Sequence, residues 1–418
     1  MGNQPITAIL RIKKAEESIL NLFQTFAERW SILYSNLARY SSQLFLFGLI
    51  FLLLGTDTAG EYAYSLAFTA PIYIFFGFGI RQLLLTDSSG EKFISFFLIR
   101  LAGSFFALLT VFIFSYFINP LNPLLLIGVA IFKSVESIFD IAMAKIQERK
   151  NYQGLFVLSS TSLLLQLLFT FASLYLLKSA LLAVLTNASI VALLTLFIFV
   201  KFKDIFLVSS ETVLLRNKRR FHKIFLSAIQ TGFSDSLITF TYSLPLLFVG
   251  WLEGPRSVTS LAFLMYFVTA YEMYLNSSAQ KSINHVKVEA KNNFVSKRMI
   301  FHEIQKEKLF IIGFGLLCVC LFPIANLWMP VASTSSIIPL FVSSGLLFFS
   351  LPLVFFLNIA MQMNYFYSKL LLIAVVTASA AIPINFYLIS SIGAIGGLMA
   401  LGVTSIIRFV AAYLALKE

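Results

Sequence analysis

Hydrophobic stretches long enough to cross a bilayer recur along this chain from residue 33 to residue 415. A bilayer core of about 30 Å needs roughly 20 apolar helical residues to cross it, and a helix satisfies its own backbone hydrogen bonds in lipid. These stretches are long and continuous, whereas a β-barrel would show short segments of alternating hydrophobicity. The sequence therefore predicts an all-α polytopic membrane protein.

Twelve membrane-spanning helices are predicted. The run around Lys178 and Ser179 fits one long helix or two, and two are favoured because basic residues then flank the pair on the same side of the membrane. The predicted spans are 33–55, 60–83, 94–117, 122–146, 154–177, 179–202, 224–252, 256–280, 308–329, 336–361, 366–388 and 392–415.

The distribution of basic residues predicts the orientation. The chain is 59% hydrophobic and 12% charged, with a net charge of +12. In a soluble protein that charge would suggest nucleic acid, but here it lies in alternate gaps between spans, as the positive-inside rule requires. We therefore expect both termini to be cytoplasmic and expect no nucleic-acid partner. Gaps assigned outside contain only two basic residues, Lys178 and Arg256.

The chain divides into two halves at a basic stretch. Ser65-Leu66-Ala67-Phe68 and Ser260-Leu261-Ala262-Phe263 stand near the starts of spans two and eight, which indicates an internal repeat. Two six-helix bundles of the same orientation around a central cavity are typical of transporters. The predicted domains are an amphipathic cytoplasmic-surface segment (1–32), an N-terminal bundle (33–203), a cytoplasmic linker (204–223) and a C-terminal bundle (224–418).

Charged residues at membrane depth are the candidate functional residues, because such charges are costly unless they pair or face water. Span four carries Lys133, Glu136 and Asp140 at spacings that put them on one helix face. Any single charge could instead form an ion pair that only fixes helix packing. For the whole set, a hydrated cavity is favoured. Candidate partners for this face are Arg39, Arg100, Asp235, Glu272 and Arg408.

The sign of each charge suggests its role. The guanidinium group is a planar fork of donors that stays charged and suits phosphate, whereas carboxylates at depth suit a coupling proton or cation. Because Arg81 lies near the end of its span, it is also compatible with a simple positive-inside anchor. The candidates for binding a diphosphate or glycan are Arg39, Arg81, Arg100, Lys133 and Arg408, and those for ion coupling are Glu136, Asp140, Asp235 and Glu272.

Motifs for catalysis and cofactors are absent from the sequence. There is no P-loop, zinc-protease motif or haem-attachment motif. Cys318 and Cys320 lie within one apolar span and are interpreted as packing residues. We therefore expect no enzymatic activity, no catalytic residue, no metal site and no cofactor.

Segments in the first half of the chain carry a family resemblance. They are Gly60-Glu61-Tyr62-Ala63, Ala70-Pro71-Ile72, Arg81-Gln82-Leu83 with Thr86-Asp87, Arg100, and Lys133, Glu136, Asp140, Gln147 and Arg149. In these segments and in its whole-length arrangement of spans, the chain resembles the Wzx-type polysaccharide flippases of the multidrug/oligosaccharidyl-lipid/polysaccharide (MOP) exporter superfamily. The resemblance implies an inner-membrane flippase that moves an undecaprenyl-diphosphate-linked oligosaccharide to the periplasmic leaflet, coupled to a proton or sodium gradient. It also implies glycosyltransferases and a polysaccharide polymerase as partners, in O-antigen or capsule synthesis.

Three other functions remain open at this point. A cation-coupled multidrug exporter should have a predominantly acidic or aromatic cavity. A polytopic glycosyltransferase or polymerase would need larger outside loops than this sequence provides. A scaffold role without transport is also compatible with the sequence.

Overall fold

A computed structural model describes residues 31, 34–86, 93–117, 122–202, 218–290, 297–328, 337–364 and 366–416. All but one residue of the predicted amphipathic segment and most of the predicted linker lie outside these residues. The described chain forms twelve helices of 21 residues or more and one short helix. They are α1 (Tyr34–Leu54), α2 (Thr56–Gly77), α3 (Ile80–Thr86), α4 (Phe93–Phe117), α5 (Pro123–Glu148), α6 (Tyr152–Leu177), α7 (Ala180–Lys201), α8 (Lys218–Leu252), α9 (Pro255–Ala290), α10 (Lys297–Trp328), α11 (Ile337–Met363), α12 (Tyr367–Ile392) and α13 (Ala394–Ala415).

Within the described residues, nine helices are long and apolar enough to cross a membrane. Helices α2 and α5 are not among the nine, and they pack against each other. Both helices carry polar residues that the fold buries, among them Thr69 of α2 and Asp140 of α5. The prediction of an all-α, multi-pass membrane protein is confirmed.

Local capping explains where several helices begin and end. Asn122 accepts a hydrogen bond from Leu125 N (3.1 Å) at the start of α5, where Pro123 takes the first helical position. Lys178 ends α6 in the left-handed conformation (φ 48°), and Ser179 caps the start of α7. The chain thus forms two helices here, as predicted.

One predicted span is wrong in its extent. The sequence predicts a single helix over 60–83, but α2 ends at Gly77 and α3 begins at Ile80. Phe78 (φ 50°) and Gly79 (φ 58°) both adopt the left-handed conformation, which interrupts the helix. As a result, Arg81 lies on a separate short helix.

The two halves repeat one packing scheme. In the first half, six pairs of helices are in contact: α2–α4, α2–α5, α4–α5, α5–α6, α5–α7 and α6–α7. The corresponding pairs α9–α10, α9–α11, α10–α11, α11–α12, α11–α13 and α12–α13 are in contact in the second half. This correspondence describes two six-helix bundles, which we call the N-bundle (α1–α7) and the C-bundle (α8–α13).

The bundles meet along α2, which packs against α8 and α9. The starts of α2 and α9 touch, since a Cβ on Gly60 would lie 1.8 Å from Pro255 O and Thr259 Oγ1 donates to Thr56 O (2.5 Å). Further along, Ser236 Oγ donates to Pro71 O (2.8 Å). The bundles are therefore in close contact at the end where α2 and α9 begin, which the sequence predicts to face outside.

Candidate functional site: a cluster of arginines around Asp140

The charged face of α5 lies in the interior of the N-bundle. Lys133, Glu136 and Asp140 follow at intervals of three and four residues, so all three project from one side of the helix. The Asp140 side chain is 10% exposed and that of Glu136 is 12% exposed. Charges held at this depth require partners on neighbouring helices.

Asp140 forms ion pairs with three arginines from three different helices. Arg39 of α1 places Nη1 2.6 Å from Asp140 Oδ1, and Arg81 of α3 donates to the same oxygen. Arg100 of α4 lies on the other side, with Nη2 3.7 Å from Oδ2. Asp140 thus joins α1, α3 and α4 to α5.

Glu136 has a different set of partners. Its Oε2 accepts from Lys133 Nζ (2.8 Å), and its Oε1 accepts from Gln43 Nε2 (2.9 Å). The Nε atom of Arg39 lies 3.9 Å from Oε1 and so connects the two carboxylates. We call Arg39, Arg81, Arg100, Lys133, Glu136 and Asp140 the arginine cluster.

The arginine cluster carries more positive than negative charge. In the part of the chain that the structure describes, its four cationic side chains face two carboxylates, which leaves two positive charges in excess. The guanidinium groups remain charged under all ordinary conditions. An excess of this kind among membrane-spanning helices favours the binding of an anion.

The cluster borders a small cavity with both polar and apolar walls. The cavity measures about 30 Å³, and its walls include Ser35, Ser42, Ser159 and Gln166. This volume holds a water molecule or two but no diphosphate. Arg39 (31% exposed) and Arg81 (24%) are the most exposed arginines of the cluster. A larger ligand would therefore meet these two side chains first.

A second charged cluster occupies the C-bundle. Arg408 of α13 interacts electrostatically with Asp235 and Tyr242 of α8 and with Glu272 of α9. Only 6% of Arg408 is exposed. Within the described residues, its buried Nε and the buried Oε1 of Glu272 have no hydrogen-bond partner. We call these four residues the Arg408 cluster; two carboxylates face one arginine there.

Solved structures with the same architecture are transporters and a flippase. The MATE multidrug transporter DinF-BH superposes with a TM-score of 0.72 at 14% identity, covering 94% of both chains. The eukaryotic MATE transporter AtDTX14 gives 0.70 at 15% identity, covering 94% of this chain and 95% of its own. The lipid II flippase MurJ in an inward closed conformation gives 0.62 at 15% identity, covering 95% and 87%.

The chain has the fold of the MOP-superfamily transporters. No protein-family model and no curated protein sequence matches it. At identities this low, the shared MOP fold places the helices and says nothing about what this chain binds. What the chain binds depends on the side chains of the two clusters.

Within the MOP fold, the predicted site residues fall into two groups. Arg39, Arg81 and Arg100 meet at Asp140, whereas Arg408 lies in the other bundle. The sequence offers all four arginines as candidates for binding a diphosphate or glycan, and the structure groups three of them around Asp140. Asp235 and Glu272 each interact with Arg408, whereas the sequence offers all three as partners for the face of α5.

Arg81 is not only an anchor at a helix end. Its guanidinium group reaches Asp140 and also donates from Nη2 to Gln147 Oε1 (3.1 Å). Arg81 makes these contacts from α3, which begins directly after the break at Phe78 and Gly79.

Two polar residues that interact with the cluster carboxylates are not predicted from the sequence. Gln43 stands four residues after Arg39, and Tyr242 stands seven after Asp235. Both spacings put the pair on one helix face, so helical periodicity around each buried charge would have found them. Polar but uncharged side chains carry no comparable signal of their own in a leucine-rich chain.

Proposed function

We propose that this protein is a flippase for undecaprenyl-diphosphate-linked oligosaccharide repeat units. It moves them by alternating access from the cytoplasmic to the periplasmic leaflet for O-antigen or capsule synthesis. In this proposal the protein lies in the bacterial inner membrane with both termini cytoplasmic. It acts as a transporter and not as an enzyme, alongside the glycosyltransferases and the polymerase that make and extend the glycan.

The observation that carries the proposal is the excess positive charge of the arginine cluster. A charge at membrane depth is costly unless an opposite charge or water meets it, and the cluster has two cations more than its own carboxylates can neutralise. A diphosphate carries compensating negative charge, and its oxygens suit the forked donors of Arg39 and Arg81. A hydrophobic cationic drug has the wrong sign for this site.

The carboxylates divide between the two clusters. Asp140 and Glu136 are each in contact with cations of their own bundle, so they hold the arginines in place. Asp235 and Glu272 both interact with one arginine, Arg408, so the carboxylates outnumber the cations in this cluster. We therefore assign coupling to a proton or sodium gradient to Asp235 and Glu272 and binding of the diphosphate to the arginine cluster.

A cation-coupled multidrug exporter is the second candidate. The Arg408 cluster favours it, because two carboxylates and the ring of Tyr242 form an acidic and aromatic site. The shared fold supports this candidate equally, since DinF-BH and AtDTX14 are MATE transporters. An ethidium efflux assay in cells that express the protein separates the two candidates.

The deciding experiment is mass spectrometry of lipid extracts from a strain that lacks the gene, combined with an assay of leaflet location. The flippase proposal predicts that a complete diphosphate-linked oligosaccharide accumulates on the cytoplasmic face. A normal lipid pool with normal surface polysaccharide, together with lost ethidium efflux, would instead support the multidrug exporter. Accumulation of incomplete glycan units would support the glycosyltransferase alternative.

A further inference from the structure

The break between α2 and α3 lies directly beside the arginine cluster. Helix α2 ends at Gly77, two left-handed residues follow, and Arg81 is the second residue of α3. The direction in which Arg81 leaves the break decides whether its guanidinium group reaches Asp140. The groups that fix the broken end of α2 therefore control the composition of the cluster.

Arg100 is the side chain that fixes this end. Its Nη1 donates to Gly77 O (3.0 Å) and its Nε donates to Ser137 O of α5 (3.2 Å). Its Nη2 lies 3.7 Å from Asp140 Oδ2. The last carbonyls of a helix have no partner within the helix and carry partial negative charge, so a guanidinium group is well suited to bind them.

Three glycines allow neighbouring helices to close around the break. A Cβ on Gly77 would lie 2.4 Å from Arg100 Nη1, and one on Gly103 of α4 would lie 2.1 Å from Phe76 O. A Cβ on Gly232 would lie 2.7 Å from the Cα atom of Phe78. Gly232 belongs to α8, so the C-bundle rests directly on the break.

We infer that Arg100 is a positioning residue: it holds the broken end of α2 against α5 and thereby places Arg81 on Asp140, at a point where α8 of the C-bundle contacts the break. This inference deepens the proposed function, on which it rests, because it assigns the regulation of the same site. An anion that binds Arg81 in place of Asp140 shifts the segment between α2 and α3, which is in contact with α8 of the C-bundle. Occupation of the site is in this way connected to the contact between the bundles.

The contacts of Arg100 distinguish it from a direct ligand of the diphosphate. Its guanidinium group already interacts with two backbone carbonyls and one carboxylate. Its side chain is 15% exposed, which is half the exposed fraction of the Arg39 side chain. A lysine at this position keeps the positive charge, but its ammonium group cannot reproduce the planar arrangement of donors with which the guanidinium group meets three acceptors. Charge and position can therefore be tested separately.

The test is hydrogen–deuterium exchange of the full-length protein in nanodiscs, without any substrate. Arg100→Gln is expected to speed amide exchange in residues 73–86 and 229–236 by about tenfold or more, since one hydrogen bond to a charged donor corresponds to at least that factor. Arg39→Gln is the matched control, because it removes the same charge beside Asp140 without touching the break. It should leave exchange in both segments unchanged.

Two further variants keep the test decisive if Arg100→Gln folds poorly. Arg100→Lys retains the charge, and Gly103→Ala pushes Phe76 away without changing any charge; both should speed exchange in the same segments. Unchanged exchange in these variants, or an equal rise in Arg39→Gln, would overturn the inference. The measurement needs no ligand, so its result is independent of what the site binds. Binding of inorganic pyrophosphate tests the proposed function separately.

Discussion

Arg39 and Asp140 stand 101 residues apart and form an ion pair of 2.6 Å between Nη1 and Oδ1. The pair joins α1 to α5 inside the N-bundle, and Asp140 is at the same time the shared partner of Arg81 and Arg100. Replacing this one carboxylate leaves three guanidinium groups without their common partner. The stability of the bundle and the geometry of the cluster therefore depend on the same side chain.

Asp140→Asn is expected to lower the free energy of unfolding by about 3 kcal/mol, because removing one partner leaves buried charge uncompensated. Thermal unfolding in detergent measures this. Arg256→Gln is the control, since its ion pair with Asp57 is exposed (76% and 60%) and contributes little. An equal loss of stability in the two variants would contradict the structural role of Asp140.

The diphosphate proposal predicts a difference between the two clusters. Arg39→Gln and Arg81→Gln should weaken binding of inorganic pyrophosphate by about ten- to 100-fold, the effect of losing one hydrogen bond to a charged group. Arg408→Gln should leave binding unchanged, because Arg408 lies in the other bundle. Isothermal titration calorimetry on the detergent-solubilised protein provides the comparison. Equal weakening in all three variants would mean that the clusters do not have separate roles.

Ion coupling is expected to depend on the C-bundle. Glu272→Gln removes a carboxylate that interacts with Arg408. We expect gradient-driven transport to fall by about five- to 100-fold, which corresponds to the usual coupling free energy of about 1–3 kcal/mol. Pyrophosphate binding should persist in this variant. Transport into proteoliposomes of the lipid recovered from the deletion strain measures the first quantity.

Glu61→Gln is the control for this prediction. Its carboxylate accepts from Asn122 Nδ2 (2.8 Å) and belongs to neither cluster. Normal gradient-driven transport in Glu272→Gln would assign coupling elsewhere in the molecule.

The contact between the starts of α2 and α9 should hold the bundles together at that end. Gly60→Ala places a Cβ against Pro255 O and is expected to open the contact, since overpacking costs about 1–3 kcal/mol. A cysteine at the buried position Val258, with Cys318 and Cys320 replaced by serine, reports the opening through faster reaction with a thiol reagent.

Gly48→Ala is the matched control, because a Cβ there meets no atom within 4 Å. It should leave the reaction rate of the cysteine at position 258 unchanged. Slow labelling in Gly60→Ala would show that the bundles do not separate at this contact.

Local features of this chain follow from its sequence, whereas features that distant helices stabilise do not. The division at Lys178 and Ser179 was predicted, because loop charges and capping are local signals. The break at Phe78 was not predicted, because Arg100 and Gly232 stabilise it from other helices. The buried charges themselves were found, since charge at membrane depth is conspicuous, but their grouping into two clusters was not.

The sequence by itself determined the number and extent of most spans and the residues that carry charge within them. These features are local, because each helix satisfies its own backbone and must be apolar over about 20 residues. Only the tertiary structure decided that Arg39, Arg81 and Arg100 meet at Asp140 and that Arg408 faces Asp235 and Glu272. Such pairings depend on how helices far apart in sequence pack and rotate, and the hydrophobic pattern of a single span does not contain that information.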